Sequence, residues 1–185
     1  MIFISVGHHE AKPGASFNGF NEYDEASIWA EEIHKHIHED SILVPHGVLK
    51  TKVNFINNRD PSQGVALEVH FNSAKNSEGE PIGRGCETLY YPRSTNGKLL
   101  AQLVNDALAQ SFEPDRGIKE GYYRLDPRNS PDYFLARTHC PAIIIEPDFI
   151  HRKELIQANR DQACIDIAAA LLVAQSALFN QEVVS

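Results

Sequence analysis

Cysteine is scarce in this chain: Cys86, Cys140 and Cys164 are three in number, scattered, and set among apolar or strand-like neighbours. An odd, unclustered set excludes a disulfide framework and a paired-cysteine zinc site, and reads as buried free thiols. Basic blocks are missing as well. With 17 Lys and Arg against 25 Asp and Glu the formal net charge is -8, so nothing draws the whole chain toward nucleic acid or an anionic membrane surface. Long hydrophobic runs are absent; the most apolar stretch, Ala168 to Ala174, is far too short to cross a bilayer. No basic leader with an apolar centre and a cleavage site precedes the first strand-like segment, Ile2 to Val6. The expectation is a protein that is cytoplasmic as synthesised, with no membrane insertion and no nucleic-acid partner. Repeats, low-complexity tracts and dividing linkers are lacking too, so 185 residues are expected to form one domain, 1–185, whose core needs no staples.

What is present is a regular alternation of strand and helix patterns. Ile2–Val6 reads as a buried strand, followed by a Gly/Pro/Asn-rich loop from Gly7 to Asn21. Ala26, Trp29, Ala30, Ile33 and Ile37 recur at helical spacing, which predicts a helix from about Glu22 to His38. A short strand at Ile42–Val44, a helix over Leu49–Asn57 and a strand at Val65–Phe71 follow. After a polar, glycine-rich loop (Ser73 to Gly85) come a strand at Cys86–Tyr91 and a helix carrying Leu99, Leu100, Leu103, Val104, Ala107 and Leu108. Glu113 to Pro131 is loop-like in composition. Ala142–Ile145 has the apolar run of a central strand covered on both faces, and a helix with Ile167, Ala168, Leu171, Leu172 and Leu178 closes the chain. Strands alternating with helices predict an α/β class fold around a mostly parallel sheet.

Three ionisable residues fall at the carboxyl ends of these strands: His8, His70 and Glu146. That edge is where loops of open α/β sheets converge on a crevice. A carboxylate directly after Ile143-Ile144-Ile145 costs several kcal/mol to bury unless it is paired or coordinated. Glu22 lies one turn before Ala26 on the same inward stripe, and Glu25, one turn before Trp29, competes with it. Either acid is also explained as favourable charge at a helix N-terminus. Two histidines and a glutamate form a catalytic zinc site with a fourth position left for water. A further carboxylate can then move the proton from water to a leaving nitrogen, which completes a kit for amide hydrolysis.

These segments resemble the zinc-dependent N-acetylmuramoyl-L-alanine amidases of the Amidase_3 type over nearly the whole chain. Gly7-His8 with Pro13-Gly14-Ala15 is similar to the family's opening segment, whose histidine binds zinc. Gly19-Phe20-Asn21-Glu22-Tyr23 is similar to its glutamate ligand at the start of the first helix, which favours Glu22 over Glu25. Leu49, Ile56 and Asn57 match a helix pattern in which Lys52 replaces the usual arginine. Glu68-Val69-His70-Phe71-Asn72-Ser73 resembles the strand that supplies the second histidine, and Gly85 to Tyr91 the strand that follows. Pro141 to Glu146 with Phe149-Ile150 resembles the segment carrying the catalytic glutamate. Departures are His9 in place of glycine, Lys52, and Pro147-Asp148 before Phe149.

The resemblance implies a twisted sheet of about six strands with helices on both faces, Zn²⁺ held by His8, Glu22 and His70, and Glu146 as the catalytic carboxylate. It implies cleavage of the amide between the muramic acid lactyl group and L-alanine in peptidoglycan or a muropeptide. Lacking an export signal and a wall-binding module, the chain is expected to be a phage or prophage lysin that meets the cell wall after release. The alternatives are an intracellular amidase of recycled muropeptides, a related zinc peptidase or carboxypeptidase, and a non-catalytic peptidoglycan-binding domain. His34 and His38 share a face of a charge-mixed helix and are read as solvated surface; His46, His139 and His151 are read as structural. Cys140 and the serines lack a nucleophile motif. Asn72 is a candidate for positioning substrate, and Tyr122, Tyr123, Arg124 and Tyr133 either line the groove or anchor a loop by aromatic packing.

Overall fold

Three short runs with apolar residues on both sides of the pleat make the centre of the sheet. They are β1 (Ile2–Val6), β5 (Val65–Val69) and β8 (Ala142–Glu146), and only Glu146 among their residues is more than marginally exposed. The computed structural model describes residues 1–122 and 130–179. Around the central strands lie β2 (Ser16–Phe17), β3 (Phe20–Asn21), β4 (Ser41–Leu43), β6 (Glu87–Tyr90) and β7 (Ile118–Glu120). The helices are α1 (Glu22–Ile37), α2 (Leu49–Asn57), α3 (Thr95–Leu108), α4 (Tyr133–Arg137) and α5 (Lys153–Phe179).

Six strands form one sheet in the order β4-β1-β5-β8-β6-β7, while β2 and β3 make a separate small hairpin. All neighbours in the large sheet are parallel except β6 and β8, which run antiparallel with Glu87 opposite Glu146. The α/β class and the mostly parallel sheet expected from the alternation are therefore present, in mixed form.

Side chains alternate across the sheet and meet two different layers. Ile2, Ile4, Val6, Val65, Leu67, Val69, Ile143 and Ile145 join α1, α3 and α5 in one apolar core. Phe3, Ala66, Ala142 and Ile144 face a smaller cluster built with Val53 and Ile56 of α2 and Phe134 and Leu135 of α4. Each fully buried Ile, Leu or Phe here contributes about 1.5–3 kcal/mol, so the larger layer dominates the apolar stabilisation.

Helix α1 starts where Asn21 caps it, its side chain accepting from the Asp24 amide at 2.9 Å, with Glu22, Asp24 and Glu25 in the first turn where the helix dipole favours negative charge. It ends where His38 turns to φ +57° and sends its amide to the His34 carbonyl. Helix α5 runs 27 residues, and by length and composition alone it reaches across a bilayer, unlike its most apolar stretch taken singly. Its buried residues, from Ile156 to Ala174, pack in the core with α1 and α3.

Two elements depart from the loop expected over Glu113 to Pro131 and just beyond it. Strand β7 has three residues, one of them apolar, and pairs along one side only, so it carries no periodic signal. Helix α4 is five residues long and is set by its cap: the Asp132 side chain accepts from the amides of Phe134 and Leu135. Tyr123 and Arg124 lie outside the described residues.

Candidate metal centre

The carboxyl ends of β1, β5 and β8 bring His8, His70 and Glu146 to one edge of the sheet, and the first turn of α1 brings Glu22 over that edge. His8, Glu22 and His70 each offer a donor atom, and these atoms lie within 4.8 Å of one another. It is the one such group of three among the described residues. Glu22 Oε2 is 3.1 Å from His8 Nε2, and Glu22 Oε1 is 2.9 Å from His70 Nδ1. The same carboxylate accepts backbone amides from Ala15 at 3.0 Å and Phe71 at 3.1 Å. All four interactions fix the plane of Glu22, a side chain that is otherwise buried.

Two glycines make the approach of these groups possible. Gly14 sits at φ +79°, and a Cβ there would come within 2.5 Å of both Glu22 Oε2 and a His8 ring carbon. Gly7 sends its amide to the Val69 carbonyl, and a Cβ on it would lie 2.6 Å from His70 Nε2. Backbone must pass this close for the two histidine-bearing strand ends to converge, and only glycine leaves the space.

Electrostatics follow from the crowding. Burial by itself would raise the Glu22 carboxyl pKa, but hydrogen bonds and positive charge from His70 and His8 outweigh it and hold the group well below the usual carboxylate range. Burial likewise opposes charge on His70, yet hydrogen bonds to Glu22 and Glu68 raise it well above an ordinary histidine. The cluster is thus one carboxylate held between two imidazoles. The donor chemistry, two imidazoles and one carboxylate preset around one point, suits zinc, which takes three protein ligands in catalytic sites and leaves a position open.

Glu146 closes β8 and lines the same cavity as His8, Glu22 and His70, a space of about 500 Å³ that also touches Asn72, Lys119 and Tyr122. The expected catalytic carboxylate and the three expected ligands therefore share one chamber. Glu25, the competitor, is turned away: it accepts from Trp29 Nε1 at 3.0 Å and from Arg160 at 3.2 Å in the layer between α1 and α5. Asn72 lines the cavity too, its amide held by the buried Glu87 at 2.6 Å. Glu87 in turn meets Arg116 at 3.0 Å and Lys119. Tyr122 donates to Glu120 at 3.0 Å on the cavity rim, whereas Tyr133 begins α4 and packs with the smaller core.

The histidines set aside on sequence grounds have other neighbours. His34 bonds Ser41, His46 bonds Tyr23, and His151 lies edge-on to Phe17 and Phe149. Two residues at the site were passed over: Glu68 as a functional group, and Lys52 beyond its being a departure from arginine. The signal for Glu68 was available, since Val65-Ala66-Leu67-Glu68-Val69 sets a carboxylate inside an apolar strand, as Ala142-Ile143-Ile144-Ile145-Glu146 sets one at an apolar strand's end.

A mixed sheet with imidazoles and carboxylates gathered in a cleft at its strand ends puts a candidate metal site where open α/β sheets bind their ligands. The family model for N-acetylmuramoyl-L-alanine amidases matches residues 2–174, and the chain belongs to that family. Direct comparison with curated protein sequences gives no significant match. Among solved structures, an N-acetylmuramoyl-L-alanine amidase from Clostridium difficile is 24% identical, with 93% of this chain and 94% of that one covered and a TM-score of 0.73. An amidase of Nostoc punctiforme is 21% identical with a TM-score of 0.75 over 93% of this chain and 94% of the other. The catalytic domain of an endolysin targeting Clostridia difficile is 26% identical, covering 93% and 96% of the two chains with a TM-score of 0.63.

Proposed function

We propose that the protein is a zinc-dependent hydrolase that cleaves the amide between N-acetylmuramic acid and L-alanine in peptidoglycan. The observation that carries this reading is the meeting of His8, Glu22 and His70 within 4.8 Å in a cavity that Glu146 also lines. His8, Glu22 and His70 would hold the zinc ion. When bound, the ion supplies a Lewis acid that polarises the scissile carbonyl and acidifies water. Glu22 keeps its negative charge at neutral pH because two imidazoles face it, so it is ready as an anionic ligand. Glu146 acts as general base toward the attacking water and then as general acid toward the alanine nitrogen as the C–N bond breaks. Asn72, fixed by Glu87, and Tyr122, fixed by Glu120, present polar groups to the substrate along the same wall.

The likeness to an endolysin catalytic domain supports a wall-lytic setting, in which the enzyme is made in the cytoplasm and reaches the wall after release. Digestion of purified sacculi tests both statements. The expected products are stem peptides with a new L-alanine amino terminus and glycan without new reducing ends. Shortened stems or free amino acids alone would assign the site to a peptidase. Activity confined to small soluble muropeptides would assign it to recycling.

A further inference from the structure

Resting on the reading of the cluster as a metal centre, we propose that Glu68 is a positioning residue for it. Its carboxylate accepts a hydrogen bond from His70 Nε2–H and keeps the ring proton there, so that Nδ1 is the nitrogen offered to zinc, and Lys52 locks that carboxylate to the end of β1. The two nitrogens of an imidazole are distinct, and which one serves as donor atom is set by the hydrogen bond at the other. His70 Nδ1 faces the ligand cluster through Glu22 at 2.9 Å, while His70 Nε2 faces Glu68 Oε2 at 3.2 Å. Once Nδ1 serves as a metal ligand, the remaining ring proton must sit on Nε2, and Glu68 is placed to accept the hydrogen bond it makes. A carboxylate behind a ligand histidine fixes both the tautomer and the ring plane.

Glu68 can stay charged there because its other oxygen is satisfied. Glu68 Oε1 accepts from Lys52 Nζ at 3.0 Å and from Ser5 Oγ at 3.1 Å, and Glu68 and Lys52 are each 2% exposed. The Lys52 ammonium has three protons and three partners: Glu68, the carbonyl of Val6, and the carbonyl of His8 at 3.2 Å. His8 itself sits at φ +60°, in the left-handed region that few non-glycine residues adopt, and its carbonyl is one of the groups the ammonium holds. One lysine on α2 thus ties together the strand end that bears His8 and the strand that bears His70. A buried ion pair serving only the fold has no reason to end on a ligand nitrogen and on a ligand's own carbonyl.

The test uses the full chain with Lys52→Met and Glu68→Met combined, which removes both charges together so that neither is left buried without the other. Glu68→Gln, which keeps an acceptor oxygen but not the charge, serves as the intermediate variant. Zinc affinity is read by competition with a chromophoric chelator, and the His70 tautomer by long-range ¹H–¹⁵N spectra of the ring. In the double variant the zinc dissociation constant is expected to rise about 10- to 100-fold and the His70 ring to lose its single Nε2-protonated form. Glu68→Gln is expected to fall between the double variant and wild type. Wild-type affinity and wild-type ring shifts in the folded double variant overturn the role of Glu68 while leaving the metal centre intact. Failure of the wild-type protein to bind zinc overturns the metal-centre reading itself, and this inference with it.

Discussion

The two faces of one set of strands have been given different work. On the face toward α1, α3 and α5, the strands β1, β5 and β8 present Ile2, Ile4, Val6, Val65, Leu67, Val69, Ile143 and Ile145, all apolar and buried. On the opposite face the same strands present Phe3 and Ala66, then Ser5, Glu68 and, at the far end, Glu146. Polarity on that side rises along each strand toward its carboxyl end, where the cavity opens. The thick layer supplies most of the apolar stability and lends Glu22 from the head of α1, while the thin face, covered by two short helices, carries Glu68 and Glu146. The difference teaches why a small fold tolerates so many buried charges: those on the thin face have short reaches to partners and to the cavity, while the thick layer keeps the strands in place.

The division should show as a double dissociation. Glu146→Gln, on the thin face, is expected to lower the rate of amide cleavage by about 10²- to 10⁴-fold while zinc stoichiometry stays near one per chain and the melting temperature near wild type. Metal analysis together with product assay on sacculi decides it; loss of zinc along with activity would mean that Glu146 acts on the metal site rather than on the water. Leu67→Ala, one residue from Glu68 but on the thick face, is expected to cost about 2–5 kcal/mol in denaturant unfolding, with the turnover of folded, zinc-loaded enzyme little changed. A large fall in turnover without a fall in stability would break the contrast between the faces.

The paired acids of α1 sharpen it. Glu22→Gln is expected to weaken zinc binding beyond the ~10- to 100-fold typical of an outer-shell loss, because it removes the anionic donor itself. Glu25→Gln should leave zinc affinity alone and cost about 1–3 kcal/mol, since it strips the charge partner of Arg160 and disturbs the bond to Trp29. Chelator competition and chemical denaturation on both variants separate the roles.

The smallest effect concerns pH in the metal-free protein. The folded-state pKa of His70 is raised by Glu22 and Glu68 against its burial, so the stability it contributes is complete below its ordinary value of about 6.5 and is lost as pH rises through the raised value. The stability difference between wild type and His70→Ala in chelator should therefore be largest in mild acid and narrow as the solution becomes alkaline. Glu22 runs the other way: its lowered pKa contributes above the ordinary carboxylate range and is lost on acidification. A difference that widens with rising pH would show that His70 is neutral in the metal-free fold.

Most of the architecture was legible in the chain. The helical spacing of Ala26, Trp29, Ala30, Ile33 and Ile37 placed α1 within a residue, and the apolar runs at Ile2–Val6, Val65–Val69 and Ala142–Ile145 placed the three central strands. Strand β7 and helix α4 were illegible because each is too short to repeat a pattern.

By itself the sequence determined which residues end the central strands, because periodicity and apolar runs are local properties that a short window contains. It therefore put His8, His70 and Glu146 at one edge and Glu22 at the head of α1. Only the tertiary structure decided how they meet: that the Glu22 carboxylate lies between the two imidazoles while Glu25 turns to Arg160, and that Lys52 joins β1 to Glu68. Those outcomes depend on groups 16 to 135 positions apart, such as Lys52 with Glu68 and Glu25 with Arg160. No spacing rule encodes such pairs. They form because a charge buried by the fold must find whatever opposite charge the packing of distant segments leaves beside it.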